Sequence, residues 1–589
     1  MRHALIGNCG YQALIDPSGA VSWLCWPRFD SSFVFGSLLD SERGGELSVR
    51  PREAAYESHQ AYLPNTNIAR TEFHTETGSF ELIDFAPRFK QYERSFKPKM
   101  LVRCARPLAG RPSVVVRCRP VYDYGARELT GYVASNHLEW RLAEGPLRLT
   151  TSAPLSYVAD GRPFLLERPT YFVLTWGEPL EAPLEETCEL FLARTRSYWE
   201  TWVKHLTLPG VLQRDVIRSA LALKLHQHED TGAITAAATT SLPEHPGSGR
   251  NWDYRYCWLR DTYFTLQAMR RIGHFEEWER FISFLHNVAE GGELQPVYGI
   301  GGETELSEQE LTHLRGYLDR NPPVRAGNAA YLQVQNDVYG EMIAAIAPLL
   351  LDVRFGTTPR ERDAQLVRRL LARVEATMEI PDAGIWEYRG PPALHTFPLL
   401  FHWAGARFAR RIGEAIGDAE LTERGARLAA RARALIEERC YRPQARYYAE
   451  SSDPANHNAD ASLFMMVNLG YLAPGDERAE PHVRELCKRL SVDRYLMRRY
   501  THFDGIGETH STFTVCGFWA AEALARLGFR EEAMEACQQL LGHANHVGLF
   551  SEDIDPATGQ QWGNFPQTYS HVGLINAAFA IEPSGFPAP

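Results

Sequence analysis

The chain of 589 residues, 44% hydrophobic, 23% charged and 11% aromatic, is too long for one ordinary globular domain, so two or more are expected. A net charge of -11 weighs against nucleic acid or an anionic membrane surface as a partner, and no window reads as an uninterrupted membrane span. The start, MRHALIGNCGYQALID, lacks the basic and apolar regions of a secretory leader, and ten scattered cysteines form neither a CxxC pair nor a Cys/His cluster at zinc spacing, so the expectation is a cytoplasmic protein with free buried thiols.

Residues 1–200 read as β-rich. SVVVRC (113–118), LEWRL (138–142), LRLTT (147–151) and YFVLTW (171–176) are short apolar runs bounded by Gly, Pro and Asn turns, and Asp16-Pro17-Ser18-Gly19 marks a turn between two early strands. No long amphipathic helix is evident before Leu184. Trp26, Pro27, Arg28 and Phe29 are candidates for the rim of a site, although a folded β-domain without chemistry of its own accounts for this part as well.

From about residue 205 the texture turns helical and stays so over 201–589. Segments with apolar residues at three- and four-residue spacing begin near 210, 260, 274, 334, 359, 396, 418, 459, 478, 510, 529 and 569. In TTPRERDAQLVRRLLARVEATM, Thr358 is placed to cap, Pro359 to take the first helical position and Glu361 to complete a capping box, with Leu366, Leu370 and Val374 on one face. Short turns such as Gly273-His274 and Gly528-Phe529 make successive helices antiparallel neighbours. Gly291–Leu332 has little helical pattern, and loops of that length usually serve a site or a lid.

Before the second helix stands RNWDYRYCWLRD (250–261). Trp252, Tyr254 and Trp258 alternate with the charged Asp253 and Arg255, and the stretch ends in Arg260-Asp261, where Asp261 can cap a helix N-terminus. A cap with core tryptophans explains these residues; so does a sugar site, where aromatic rings pack on the C–H faces of a pyranose and fixed charges meet its hydroxyls. The stretch closely resembles the one that opens the active site of glycoside hydrolase family 15, the glucoamylase and bacterial trehalase family. That resemblance implies that Arg260 and Asp261 bind a terminal glucose and that Tyr254 and Trp258 line its subsite. It also implies an N-terminal antiparallel β-sandwich followed by an (α/α)6 barrel, a toroid of six helical hairpins; periodicity alone supports the pairing and not the closure. GYLDRNPPVRAGNAAYLQVQND before the fourth helix resembles a loop of the same family.

Hydrolysis of a glycosidic bond needs an acid to protonate the leaving oxygen and a second carboxylate opposite it. Spacing cannot choose two among 73 acidic residues. GIWEYRG (384–390) places Glu387 between Trp386 and Tyr388 in a glycine-bounded loop, where apolar neighbours and partial burial would raise its pKa. This loop matches the family's general-acid motif, and Glu552 in LFSEDIDPATGQQWGNFPQTYSHVGLINAAF (549–579) falls at the general-base position, with Asp553 and Asp555 as rivals on charge alone. Tyr569 falls where fungal members carry a subsite tryptophan. The chain departs from common members at Phe397-Pro398-Leu399 and at His510-Ser511, which puts the identity of the leaving-group subsite in doubt.

The resemblance implies an inverting mechanism without metal or organic cofactor. The expected activity is an exo-acting α-glucosidase on short α-glucans, with α,α-trehalose hydrolysis as the alternative. The expected partner is therefore an α-linked gluco-oligosaccharide or disaccharide, and a homo-oligomer is compatible with all of the above. A phosphorylase has no need of the Glu552 base, and a non-catalytic sugar-binding protein has no need of either glutamate.

Overall fold

A computed structural model describes residues 1–290, 293–355, 360–505 and 510–582. The strand-rich part runs to Trp176. An eight-stranded antiparallel sheet has the order Gly131–Val133, His137–Leu142, Gly145–Thr151, Thr170–Trp176, Met100–Gly110, Gly78–Phe85, Ala69–His74 and Glu57–Tyr62. Opposite it lie a three-stranded sheet built on Ser113–Arg119 and a four-stranded meander over Ala4–Gly7, Gln12–Ile15, Val21–Cys25 and Phe33–Phe35. The turn between the second and third strands of the meander forms as its residues dictate, with Asp16 Oδ1 accepting from the Ser18 and Ala20 amides at 2.8 and 3.1 Å.

The meander joins the two halves of the molecule through strand periodicity. Ala4, Ile6, Ala13, Ile15, Val21 and Leu24 fill the core of the β-domain. Leu5, Leu14, Trp23 and Cys25 point the other way, into the core of the helical domain. Polar ties follow the same face: Trp23 Nε1 donates to the Ala238 carbonyl and Gln12 Nε2 to the Leu225 carbonyl, both at 2.8 Å. The helix Leu184–Lys204 then leads into the helical domain.

There, an inner ring consists of Leu259–Arg271, Asp337–Leu351, Thr396–Ile416, a short 3-10 and α turn over 461–468, Thr514–Arg526 and Thr568–Ile581. Each inner element packs on the next and the last packs on the first, so the ring is closed. The outer helices Gln213–His226, Glu276–Ala289, Glu361–Thr377, Ala419–Leu435, Ala479–Leu490 and Arg530–Leu541 alternate with them along the chain. Sequence composition separates the two layers. The inner Asp337–Leu351 helix is buried almost all round, whereas Glu361–Thr377 buries a stripe that includes Leu366, Leu370 and Val374 and turns its charges outward. The cap placed at Thr358 and Pro359 lies outside the described residues; the helix itself is described from Glu361.

The described part of the stretch after Ala289 runs between the helical ring and the β-domain. It acts as a brace, with Val297–Tyr298 pairing antiparallel to Cys257–Trp258 and Arg28 of the β-domain bonding Glu303 at 2.8 Å. Among the described residues, no helix is long and apolar enough to cross a membrane.

Candidate active site

The RNWDYRYCWLRD segment is extended over most of its length, its backbone bonded to residues 236–241 and Cys257–Trp258 forming a short strand. Alternation of aromatic and charged residues is therefore a two-residue strand period. Tyr254, Tyr256 and Trp258 share one small cluster with Val297 and Leu306. Asp253 and Arg255 face the β-domain and pair with each other at 2.7 Å; Arg255 also reaches the Ser31 carbonyl at 2.7 Å and the Tyr124 hydroxyl at 2.9 Å. The following helix starts at Leu259 with Trp258 as its uncapped N-cap, so Asp261 is not the cap expected from sequence; it sits in the first turn, 6% exposed.

Tyr254, Trp258, Arg260, Asp261, Trp386, Glu387, Glu552 and Tyr569 all line one small pocket. Ala236, Ile385, Arg499, Phe513 and Gln567 complete its wall. None of the residues Trp26 to Phe29 reaches it: Trp26 is in the β-domain core, and Arg28 pairs with Asp30 and Glu303. The departures at Phe397-Pro398-Leu399 and His510-Ser511 contribute nothing to its wall either.

One motif grips both glutamates. The Trp258 indole Nε1 donates to Glu387 Oε1 at 2.6 Å, and the Tyr254 hydroxyl donates to Glu552 Oε1 at 2.8 Å. The two rings themselves meet edge to face at 5.5 Å. Arg260 Nη2 and Gln335 Nε2 approach Glu387 Oε1 at 3.4 and 3.5 Å, so the carboxylate faces hydrogen-bond donors and not the apolar neighbours expected from Trp386 and Tyr388. Trp386 turns its Nε1 to Asp460 at 2.9 Å. Arg260 is fixed from below by Gln335 Oε1 at 2.5 Å and stands beside Asp261, whose carboxyl burial pushes up to about 7 against the pull of that guanidinium.

Glu552 is 1% exposed. Burial, with the charge of Glu244 behind it, raises its carboxyl above the ordinary range, while Arg499 and the Tyr254 hydroxyl pull it down. The residue directly precedes the strand Asp553–Ile554, in a small sheet with Thr512–Phe513 and Gln561–Trp562. Of its rivals, Asp553 is absent from the pocket wall and accepts from Ser511 Oγ at 2.8 Å, and Asp555 holds the following turn through the Ala557 amide and Thr558 hydroxyl. Among the described residues no group of three or more His, Cys, Asp or Glu side chains is placed to hold a metal ion.

Sequence reading missed Arg499, which ion-pairs with Glu244 and lies 5.2 Å over the Phe513 ring, and the pair Gln333 and Gln335 beside Glu387. Arg499 and Glu244 are far apart in the chain and carry no local signal; YLQVQND was visible as a segment but not by residue.

A closed helical ring whose mouth holds two glutamates among indole, phenol and guanidinium groups has the composition of a carbohydrate-processing site. The family described as "Glycosyl hydrolases family 15" matches residues 210–533 and 527–579, and "Trehalase-like, N-terminal" matches residues 1–158. A trehalase of Mycobacterium tuberculosis is 31% identical over 98% of this chain and 89% of its own, and one of Mycolicibacterium smegmatis is 33% identical over 98% and 90%. A Thermoplasma acidophilum trehalase is 30% identical over 97% of this chain and 98% of its own. A bacterial glucoamylase complexed with acarbose shares the fold, with a TM-score of 0.70 over 99% of this chain and 94% of that one at 14% identity. The chain belongs to glycosyl hydrolase family 15 and is a glycoside hydrolase.

Proposed function

We propose that this chain hydrolyses α,α-trehalose with inversion of configuration. The observation that carries the substrate is that relatives matching it almost end to end at 30–33% identity are each named trehalase, whereas the likeness to a glucoamylase is one of fold alone. The preference for short α-glucans drawn from sequence gives way accordingly. The pocket agrees with a small substrate, its far side formed by Arg499 with Glu244 behind it, which suits the hydroxyls of a second glucose.

In this reading Arg260 and Asp261 hold one glucose by charge-assisted hydrogen bonds, its hydroxyls donating to the Asp261 carboxylate and favouring the charged form that burial resists. Trp258, Trp386 and Tyr569 supply the apolar faces. Glu387 hands a proton to the bridging oxygen as the C–O bond breaks, and Glu552 takes a proton from the water that attacks the anomeric carbon from the opposite side. Tyr254 orients Glu552 by its hydroxyl, leaving Oε2 for the water.

The test is a release assay on trehalose, maltose, isomaltose and maltooligosaccharides. The proposal expects kcat/KM on trehalose to exceed each of the others; a preference for maltooligosaccharides would return the enzyme to the glucan-hydrolysing reading.

A further inference from the structure

Glu387 has a φ of 60°, in the left-handed region that glutamate rarely occupies. Such a conformation persists only where the surroundings over-determine it, and it is often found at functional sites. Within the loop, the Glu387 amide donates to the Gly384 carbonyl at 3.2 Å and the Tyr388 amide to the Ala383 carbonyl at 3.1 Å, which closes the turn. The Glu387 carbonyl is held from outside it: Gln333 Nε2 donates to this oxygen at 3.2 Å.

Gln333 belongs to the segment that enters the Asp337–Leu351 helix, and that segment is laced along the acid loop. The Ala383 amide donates to the Val334 carbonyl at 3.0 Å and the Asn336 amide to Asp382 Oδ2 at 2.7 Å. Gln333 Oε1 in turn accepts from Gln335 Nε2 at 3.1 Å, and Gln335 Oε1 accepts from Arg260 Nη1 at 2.5 Å. A continuous relay thus runs from the guanidinium on the pocket floor to the backbone of Glu387. Gln333 itself is outside the pocket wall.

We infer that Gln333 is a positioning residue for the general acid: its side-chain amide pins the Glu387 carbonyl, keeps the backbone left-handed and so keeps the carboxyl aimed at the bridging oxygen beside Trp258. The inference rests on the reading of Glu387 as the acid. Without the donor, the 387–388 peptide keeps only the bond from the Tyr388 amide to the Ala383 carbonyl, so its carbonyl can tilt and the carboxyl shift from its place, while Glu552, Arg260 and Asp261 stay where they are.

The leaving group separates this role from general damage. Fluoride departs as an anion without being handed a proton, so α-glucosyl fluoride needs the base and the glucose-binding residues but not the acid. For Gln333→Met, kcat on trehalose should fall about 10–100-fold, as for a misplaced catalytic group, with KM within about threefold and fluoride turnover within about threefold of wild type. Gln333→Glu, which accepts but cannot donate, should show the same selective loss. Equal loss on both substrates, no loss on trehalose, or a change in KM alone would overturn the role of Gln333. Glu387→Gln run beside them tests the underlying reading: if it loses fluoride turnover as strongly as trehalose turnover, the acid assignment fails, and if it keeps fluoride turnover while the Gln333 variants lose both or neither, only the positioning role fails.

Discussion

The two sides of the pocket are built on opposite plans. Glu387 stands on a loop in a left-handed backbone, its side chain 25% exposed, with the Trp258 indole at bonding distance and Arg260 and Gln335 at longer reach. Glu552 directly precedes the central strand of a small three-stranded sheet, 1% exposed, with one hydroxyl donor and a carboxylate, Glu244, among its neighbours. An acid that must meet a departing sugar needs an accessible place and a held orientation. A base that must serve one water needs a dry, fixed one, and burial that raises its carboxyl makes it a better proton acceptor. In the proposed mechanism the difference means that the pair is divided into roles by its supports, which come from different elements, while Tyr254 and Trp258 of one motif tie the two carboxylates together.

Removing either carboxylate should produce the largest effect. Glu387→Gln and Glu552→Gln are each expected to lower kcat on trehalose by about 10²–10⁴-fold while glucose still binds, as read by titration of tryptophan fluorescence. Near-normal turnover of either variant would erase the contrast between the two sides. The two should also differ from each other, since only Glu552→Gln should abolish turnover of α-glucosyl fluoride.

The pocket floor comes next. Arg260→Lys and Asp261→Ala each remove charge-assisted hydrogen bonds worth about 1.5–3 kcal/mol, so kcat/KM should fall by roughly 10- to 150-fold. Arg260→Lys should not behave as a conservative change, because the planar fork that meets Gln335 is lost. If these residues were only structural, melting temperature would fall and the kinetics of the folded fraction would not.

A glycine tests the rigidity of the base side. Gly563 has a φ of 76°, and a Cβ there would lie 2.6 Å from Glu552 Cβ. Gly563→Ala should lower kcat by on the order of tenfold through displacement of the base. Gly417, with a φ of 75° and open space around it, isolates the backbone cost: Gly417→Ala should lose about 1–2 kcal/mol of stability and no turnover. Equal turnover losses in the two variants would mean that the base is not held by contact with residue 563.

The smallest expected effect is a shift along the pH axis. The Tyr254 hydroxyl bonds the ionised form of Glu552, so Tyr254→Phe removes a stabiliser of the charged carboxylate and raises its pKa further. A base works only when ionised, so the acidic limb of the kcat/KM profile should move to higher pH. A limb that stays put or moves down would show that the titrating group is another.

How much of this was legible in the sequence follows the physics of each feature. The helices begin within four residues of the starts read from periodicity, except near 459, where a 3-10 turn from Ala461 leads into a four-residue α-helix from Met465. Closure of the ring came only through resemblance. The alternation in RNWDYRYCWLRD was visible, yet its meaning as a strand with one face to the sugar pocket and one to the β-domain required the partners, Tyr124 and Ser31, more than a hundred residues away. Asp261 read as a cap because the helix start is set by Trp258 and its strand, a tertiary cause. Glu387's left-handed backbone could not be foreseen, since nothing in GIWEYRG marks a glutamate for it and the donor to its carbonyl, Gln333, lies in a segment that stood out as a whole but not residue by residue.

The most direct measurement of the central claim is hydrolysis of α,α-trehalose in ¹⁸O-labelled water, with the first products followed by NMR and mass spectrometry. An inverting site with Glu552 driving water at one anomeric carbon must release one β-glucose carrying the label at C1 and one unlabelled α-glucose. Two α-glucose molecules with label in one of them would mean retention, and trehalose left intact while maltose is cleaved would mean another substrate; either result contradicts the account.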